Sequence, residues 1–179
     1  MYNKMNENGI TLLELLVVML IVAVLAVLAL PALGIYSARH TMQYQTDELS
    51  GVLAMARLKA IDQGFTWRVL FYPDQRSYLT FCDRDNDNTQ DPDEEQIGPY
   101  GLFKDIEFGS SALTGPNKTS MPSDGVSLVG NKVSFSAMGS CNAGTIYLKS
   151  INTSVALRIL PSSGSPQLWI YKNQWREWK

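Results

Sequence analysis

Residues 9–35 read GITLLELLVVMLIVAVLAVLALPALGI. From Ile10 to Leu30 there are 21 residues, and only Thr11 and Glu14 are polar. As an α-helix this run is about 31 Å long, roughly one bilayer core. No other stretch of the chain is comparably apolar. The residue that demands an account is Glu14, four positions into the run. A carboxylate at mid-bilayer costs about 2.5–3.5 kcal/mol on insertion scales, and less near an interface. It is therefore either a paired, functional acid or an anchor residue at headgroup depth.

Outward from this run, residues 1–9 form a short polar segment in which Lys4 and Glu7 cancel. It has no apolar core of the kind that marks an ordinary secretory signal. Lys4 and Arg39 flank the span on opposite sides and leave its orientation weakly encoded. On the other side, Pro31 is expected to bend the helix or free a carbonyl. Residues 32–63 continue as an amphipathic stalk. Tyr36, Tyr44, Leu49, Val52, Leu53, Met55, Ala56, Leu58 and Ile61 give one apolar flank among Arg39, Gln43, Gln45, Asp47, Glu48, Arg57, Lys59 and Asp62. Gly64 is the expected stop. The helix from Ile10 to Gln63 would run roughly 80 Å if straight.

The remainder, residues 64–179, is sized for a single domain. The chain has 179 residues, a formal charge of −2 and 45% apolar residues. That is enough for a core, and it gives no basic excess pointing to nucleic acid. Strands are expected at Phe65–Leu70 and Ser77–Cys82, joined by a turn at Pro73–Arg76. Others are expected around Ile106–Phe108 and at Val126–Leu128, Val133–Phe135, Gly144–Leu148, Val155–Leu160 and Leu168–Tyr171. Residues 175–179 read as a tail. The fold class is α+β: a long N-terminal helix, half anchor and half stalk, packed on a β-rich head of antiparallel sheet.

Gly9-Ile-Thr-Leu-Leu-Glu14-Leu-Leu resembles the processing site of type IV prepilins and of the pseudopilins of type II secretion. Ile10 stands where phenylalanine is usual, and Pro31 falls where many members carry a proline. The resemblance implies a leader at residues 1–9, cleavage by a prepilin peptidase after Gly9, and N-methylation of Ile10. It implies that Glu14 pairs with a neighbouring subunit's N-terminal amine during assembly. A buried ammonium and a buried carboxylate are each costly alone and much less so together. It further implies a single-pass inner-membrane protein with its N-terminus in the cytoplasm and its head periplasmic or extracellular. Partners would be other major and minor pilins or pseudopilins, the assembly platform and membrane lipid.

A looser likeness covers the head. Phe81-x-Asp-Arg-Asp, the acidic Asn-rich turn, Asp91-x-Asp-Glu-Glu, Val133-Ser-Phe135 before Gly139, and Gly144-Thr-Ile146 look like the H-type minor pseudopilins and T-type minor fimbrial pilins. The implied role is a place in the tip, or initiation, complex of a secretion pseudopilus. The alternative is a minor pilin of a type IV pilus, active in assembly or DNA uptake. The Gly-Arg segment usual near the last strands is replaced here by Ser163-Gly164-Ser165-Pro166.

Four features remain. Cys82 and Cys141 either form one bridge, which export would permit, or stay as buried thiols; the bridge is the expectation. Residues 83–95 hold seven acids and one base. Asp83, Asp85, Asp87, Thr89, Asp91 and Glu94 occupy positions one, three, five, seven, nine and twelve of a calcium loop. Asn88 stands where that loop has glycine, and Pro92 restricts Asp91. The competing reading is a solvated, Asx-turned loop, and no other cofactor is implied. Lys172, Arg176 and Lys179 lie among Trp169, Tyr171, Trp175 and Trp178, a pattern that can stack bases. With three bases and one acid, a strand and tail covering the core is preferred, and nucleic acid is not expected as a partner. Finally, with one histidine, His40, and no phosphate loop or zinc motif, no catalytic set is present and the chain reads as a non-enzyme.

Overall fold

The computed structural model describes residues 11–151, 153–161 and 164–178, with the side chains of 28–39 excepted. The leader, Gly9, Ile10 and Lys179 lie outside the described residues. Helix α1 spans Leu12–Gln63 and continues through Pro31. The chain divides into two compact units, Met1–Ala38 and Arg39–Lys179.

In the first unit, Thr11 caps α1. Its Oγ1 accepts the Glu14 N–H at 3.2 Å, and its carbonyl accepts the Leu15 N–H at 3.1 Å. Every described side chain from Leu12 to Val27 is exposed. Among the described residues no helix is long and apolar enough to cross a membrane. The described apolar side chains, 12–27, stop short of the roughly 20 that a span needs.

In the second unit, α1 buries Met42, Gln45, Thr46, Leu49, Val52, Leu53, Ala56 and Ala60. These recur every three or four residues and form one stripe. Tyr44, Leu58 and Ile61, expected on the apolar flank, are 67%, 66% and 49% exposed. Leu58 follows Leu49 by nine residues, which at 3.6 per turn is half a rotation away. The two polar members of the stripe are satisfied. Thr46 Oγ1 donates to the Met42 carbonyl at 2.7 Å, and Gln45 Oε1 accepts the Phe103 N–H at 2.7 Å. The helix stops at Gly64, whose φ of +73° fits only a residue free to turn left-handed.

Two antiparallel sheets complete the unit. The first contains β1 (Thr66–Tyr72), β2 (Ser77–Asp83), β3 (Gln96–Gly101) and β5 (Lys132–Phe135), in the order β3-β2-β1-β5. The second contains β4 (Glu107–Phe108), β6 (Gly144–Ser150), β7 (Thr153–Ile159), β8 (Pro166–Lys172) and β9 (Gln174–Glu177), in the order β4-β6-β7-β8-β9. Trp67, Val69, Phe71 and Val133 from one sheet and Ile146, Leu148, Val155 and Leu157 from the other join the helix stripe in one core. β3 lies where no strand was expected; as an edge strand it tolerates the missing N–H of Pro99. The expected strand at Val126–Leu128 is reduced to one bridge, Val126 to Ile146. It is cut short by the left-handed Gly125 before it and the 3-10 turn Val129–Asn131 after it. The expected tail is strand β9 in its first part.

The expected Cys82–Cys141 bridge is not formed, and both thiols are free. Register explains why. Cys82 pairs with Trp67, Trp67 with Phe135, and Phe135 with Cys141. The two cysteines are thus three strand steps apart, roughly 14 Å, whereas bridged Cα atoms lie about 4.4–6.8 Å apart. Burial also pushes both thiols above their ordinary pKa, which disfavours the thiolate. Maleimide labelling of the denatured, unreduced protein should therefore modify both cysteines. A chain that takes up label only after reduction would carry the bridge and contradict this register.

Candidate metal centre

Strand alternation gives the first sheet two different faces. Trp67, Val69, Phe71 and Cys82 point into the main core with α1. The opposite face of β1 and β2 presents Arg68, Leu79, Phe81 and Asp83. Phe81 is 1% and Leu79 9% exposed, yet neither belongs to the main core. The segment between β2 and β3 lies across this second face. Lys132 Nζ on β5 donates to the Asn88 carbonyl at 2.6 Å, and Tyr72 Oη to Gln90 Oε1 at 3.4 Å.

At the centre is a buried ion pair. Arg68 and Asp83 are 5% and 1% exposed, and the Arg68 Nε donates to Asp83 Oδ2. The guanidinium also donates to Ser134 Oγ on β5 and, at 3.1 Å, to Asn86 Oδ1 in the loop. One arginine therefore ties β1, β2, β5 and the loop together. Asp83 Oδ2 also accepts the Asn88 N–H at 3.2 Å. Asp83 Oδ1 is buried and, among the described residues, has no hydrogen-bond donor.

Beyond Asp83 the loop is built from side chains that accept backbone N–H groups two residues ahead. Asp85 Oδ1 accepts from Asp87 at 3.2 Å, and Asp87 Oδ1 from Thr89 at 2.7 Å. Asn86 and Asn88 take positive φ, 60° and 72°. Asparagine tolerates that conformation better than most residues, which is how the chain turns at position six without glycine. Glu94 closes the loop, accepting the Arg84 N–H at 2.9 Å and the Asp91 N–H at 3.2 Å. The next carboxylate faces the other way. Glu95 accepts from Lys59 at 2.6 Å and Gln63 at 3.2 Å on the last turns of α1. Those two donors hold Glu95 below its ordinary pKa.

Of the six loop residues named from spacing, the fold brings three together. One carboxylate oxygen each from Asp83, Asp85 and Asp87 lie within 4.8 Å of one another, a group able to hold a divalent cation. Thr89 spends its hydroxyl on Asp87, Glu94 is engaged in closing the loop, and Asp91 is not among the three. Hydrogen bonds from the Thr89 hydroxyl and N–H pull the Asp87 pKa down. Asp91 is pushed up, first by desolvation and then by Asp87, Asp85, Glu94 and Asp93. The role of Arg68 was missed from sequence; an arginine inside the strand expected at Phe65–Leu70 was its only signal.

The basic and aromatic residues near the C-terminus do not interleave. In the β8–β9 register Trp169 pairs with Glu177 and Tyr171 with Trp175, while Ile170 pairs with Arg176 and Lys172 with Gln174. Paired residues share a face, so Trp169, Tyr171 and Trp175 lie on one face of the hairpin and the two described cations on the other, while Trp178, just past β9, packs against the core. Trp175 packs on Tyr171 and Tyr147 at 5.3 and 6.0 Å between ring centres. Its Nε1 donates to the Thr114 carbonyl at 2.7 Å.

Two family models match the chain. Residues 4–30 match the prokaryotic N-terminal methylation motif, and residues 45–164 match the type II transport protein GspH. The second covers well over half of the 179 residues. The chain belongs to the GspH family. No curated protein and no solved structure matches it. The GspH match takes in about the last third of α1, the first sheet, the acidic loop and the second sheet as far as β7. As a GspH-family pseudopilin the chain is associated with type II protein transport, and it is a structural subunit rather than an enzyme.

The ion pair yields a quantitative expectation. Arg68→Ala strands a buried carboxylate and should lower stability by about 3–5 kcal/mol in chemical denaturation. Arg68→Met combined with Asp83→Leu removes both charges and should recover most of that loss. Equal stability of Arg68→Ala and the native chain would show that the pair is solvated.

Proposed function

We propose that this chain is a minor pseudopilin that enters the tip complex initiating a type II secretion pseudopilus. The observation that carries the reading is the exposed apolar surface from Leu12 to Val27 at the start of the helix leading into a GspH-family head. An apolar run of that extent is covered by something outside the chain. Extended by sequence to Ile10–Leu30, it matches a bilayer core. Lipid covers it before assembly, and the helices of other pilin-like subunits cover it afterwards.

In this reading the leader at residues 1–9 stays cytoplasmic and a prepilin peptidase cuts after Gly9. Ile10 is then N-methylated, and the head lies on the far side of the inner membrane. Glu14 is exposed in the first turn of α1, where the helix dipole favours a carboxylate. Its partner is the N-terminal amine of an adjacent subunit. The assembly platform of the inner membrane would receive the anchored chain. The methylation motif is shared with type IV pili, and the GspH match favours export over a pilus. We also propose that the acidic loop of the head takes up a divalent cation, as a structural cofactor.

Processing and assembly separate experimentally. Gly9→Ala should leave the full-length precursor in the membrane, seen by intact mass, while the native chain begins at a methylated Ile10. Glu14→Ala should still insert, and more easily, but co-purify poorly with other minor subunits because a neighbour's amine loses its partner. Native-level co-purification of Glu14→Ala would remove Glu14 from assembly, and a mature N-terminus beyond Ala29 would remove the prepilin reading altogether.

A further inference from the structure

Three carboxylates within 4.8 Å do not by themselves make a site, since exposed acids cluster without ions. What separates this cluster from a solvated turn is Asp83. Asp85 and Asp87 are exposed, but the Asp83 side chain is 0% exposed. Its Oδ2 is used by Arg68 and the Asn88 N–H, whereas Oδ1 is shielded from solvent with no donor among the described residues. A buried carboxylate oxygen without a partner forfeits its hydration and gains nothing in return. The same carboxylate belongs to the three-acid group, so a cation there supplies the missing interaction.

We infer that the turn from Asp83 to Glu94 is a calcium site. Asp83, Asp85 and Asp87 are its side-chain ligands, the Thr89 carbonyl is its backbone ligand, and Glu94 is the closing carboxylate. This rests on the cation reading of the loop given above and adds the identity of the ion and the residues that hold it.

Charge and hardness both favour this ion. The ligands are all oxygens, as a hard cation requires. Arg68 neutralises one of the four carboxylates, so three negative charges remain to face a divalent ion, enough to hold it despite the nearby guanidinium. Positions one, three, five, seven and twelve are among those from which a calcium loop draws its ligands. Thr89 fits as a carbonyl donor, because its hydroxyl and N–H both turn to Asp87. Calcium accepts six to eight oxygens in loose geometry, whereas magnesium demands a tight octahedron and keeps its water. A loop anchored at one end by a buried residue and exposed at the others suits the larger ion.

The test uses the full chain in detergent micelles, stripped with chelator and dialysed. Calorimetric titration with calcium should show one site with Kd on the order of 10⁻⁴ M, in the range of extracytoplasmic modules. Saturating calcium should raise Tm by several degrees, since it binds only the folded loop. Magnesium should bind at least about tenfold more weakly. Asp85→Asn with Asp87→Asn keeps the oxygens that accept N–H groups, leaves Arg68 and Asp83 intact, and should abolish both heat and shift without lowering the ion-free Tm. Silence toward calcium and magnesium alike would overturn the calcium site and the cation reading with it. Equal responses to calcium and magnesium would overturn only the calcium assignment. A double variant that responds like the native chain would show that the ion binds elsewhere and would overturn the ligand set.

Discussion

The outer face of the first sheet depends on the pairing of Arg68 with Asp83. A sheet one strand-layer thick must hide both faces, and here only one of them meets the helix. On the other, Phe81 and Leu79 are buried away from the main core and need cover of their own. The chain answers with a loop, and an acidic loop adheres poorly to apolar side chains. The guanidinium resolves the conflict by standing among them, with three of its nitrogens directed to β2, β5 and the loop. Desolvating both ions is costly, and the attraction repays it only because the remaining donors are used.

The last two carboxylates of the loop are divided between two tasks. Glu94 turns inward to close the loop, and Glu95 turns to Lys59 and Gln63 at the end of α1. Lys59 also lies 4.6 Å from the centre of the Trp67 ring, whose Nε1 donates to Gln63 at 2.9 Å. The end of the helix, the start of β1 and the start of β3 are therefore held by one small polar network at the sheet's rim. Its ion pair is partly exposed, so its contribution is modest and its value is mainly in fixing where the loop departs and returns.

Much of this was readable along the chain, because it is written in local periodicity. The helix end at Gln63, the β1–β2 hairpin and the strands β5 to β8 follow from spacing and turn residues. What escaped depends on contacts between distant segments. Gly98-Pro99 signals a turn unless one knows that the strand sits at an edge. The cysteine pairing needed the order of strands in the sheet, and β1 and β5 intervene. Tyr44, Leu58 and Ile61 are apolar in type, but the helix phase turns them outward. In the acidic loop, spacing named six residues and the fold gathers three carboxylates, while the Thr89 hydroxyl turns to Asp87 and Glu94 closes the turn. Arg68, which positions the cluster, lies outside any motif and was invisible until β1 and β5 were paired.

The sheets also restrict how copies of the head could join. Their outermost strands are β3 and β5 in one sheet and β4 and β9 in the other. β4 has two residues, β5 and β9 have four each, and β3 is interrupted by a proline that has no hydrogen to donate. Short or broken margins of this kind blunt edge-to-edge pairing. A filament built from such heads gains little from continuous hydrogen-bonded sheet running from one subunit to the next. Its cohesion falls to side chains on the helix and loops, which can be packed and unpacked without tearing a ladder.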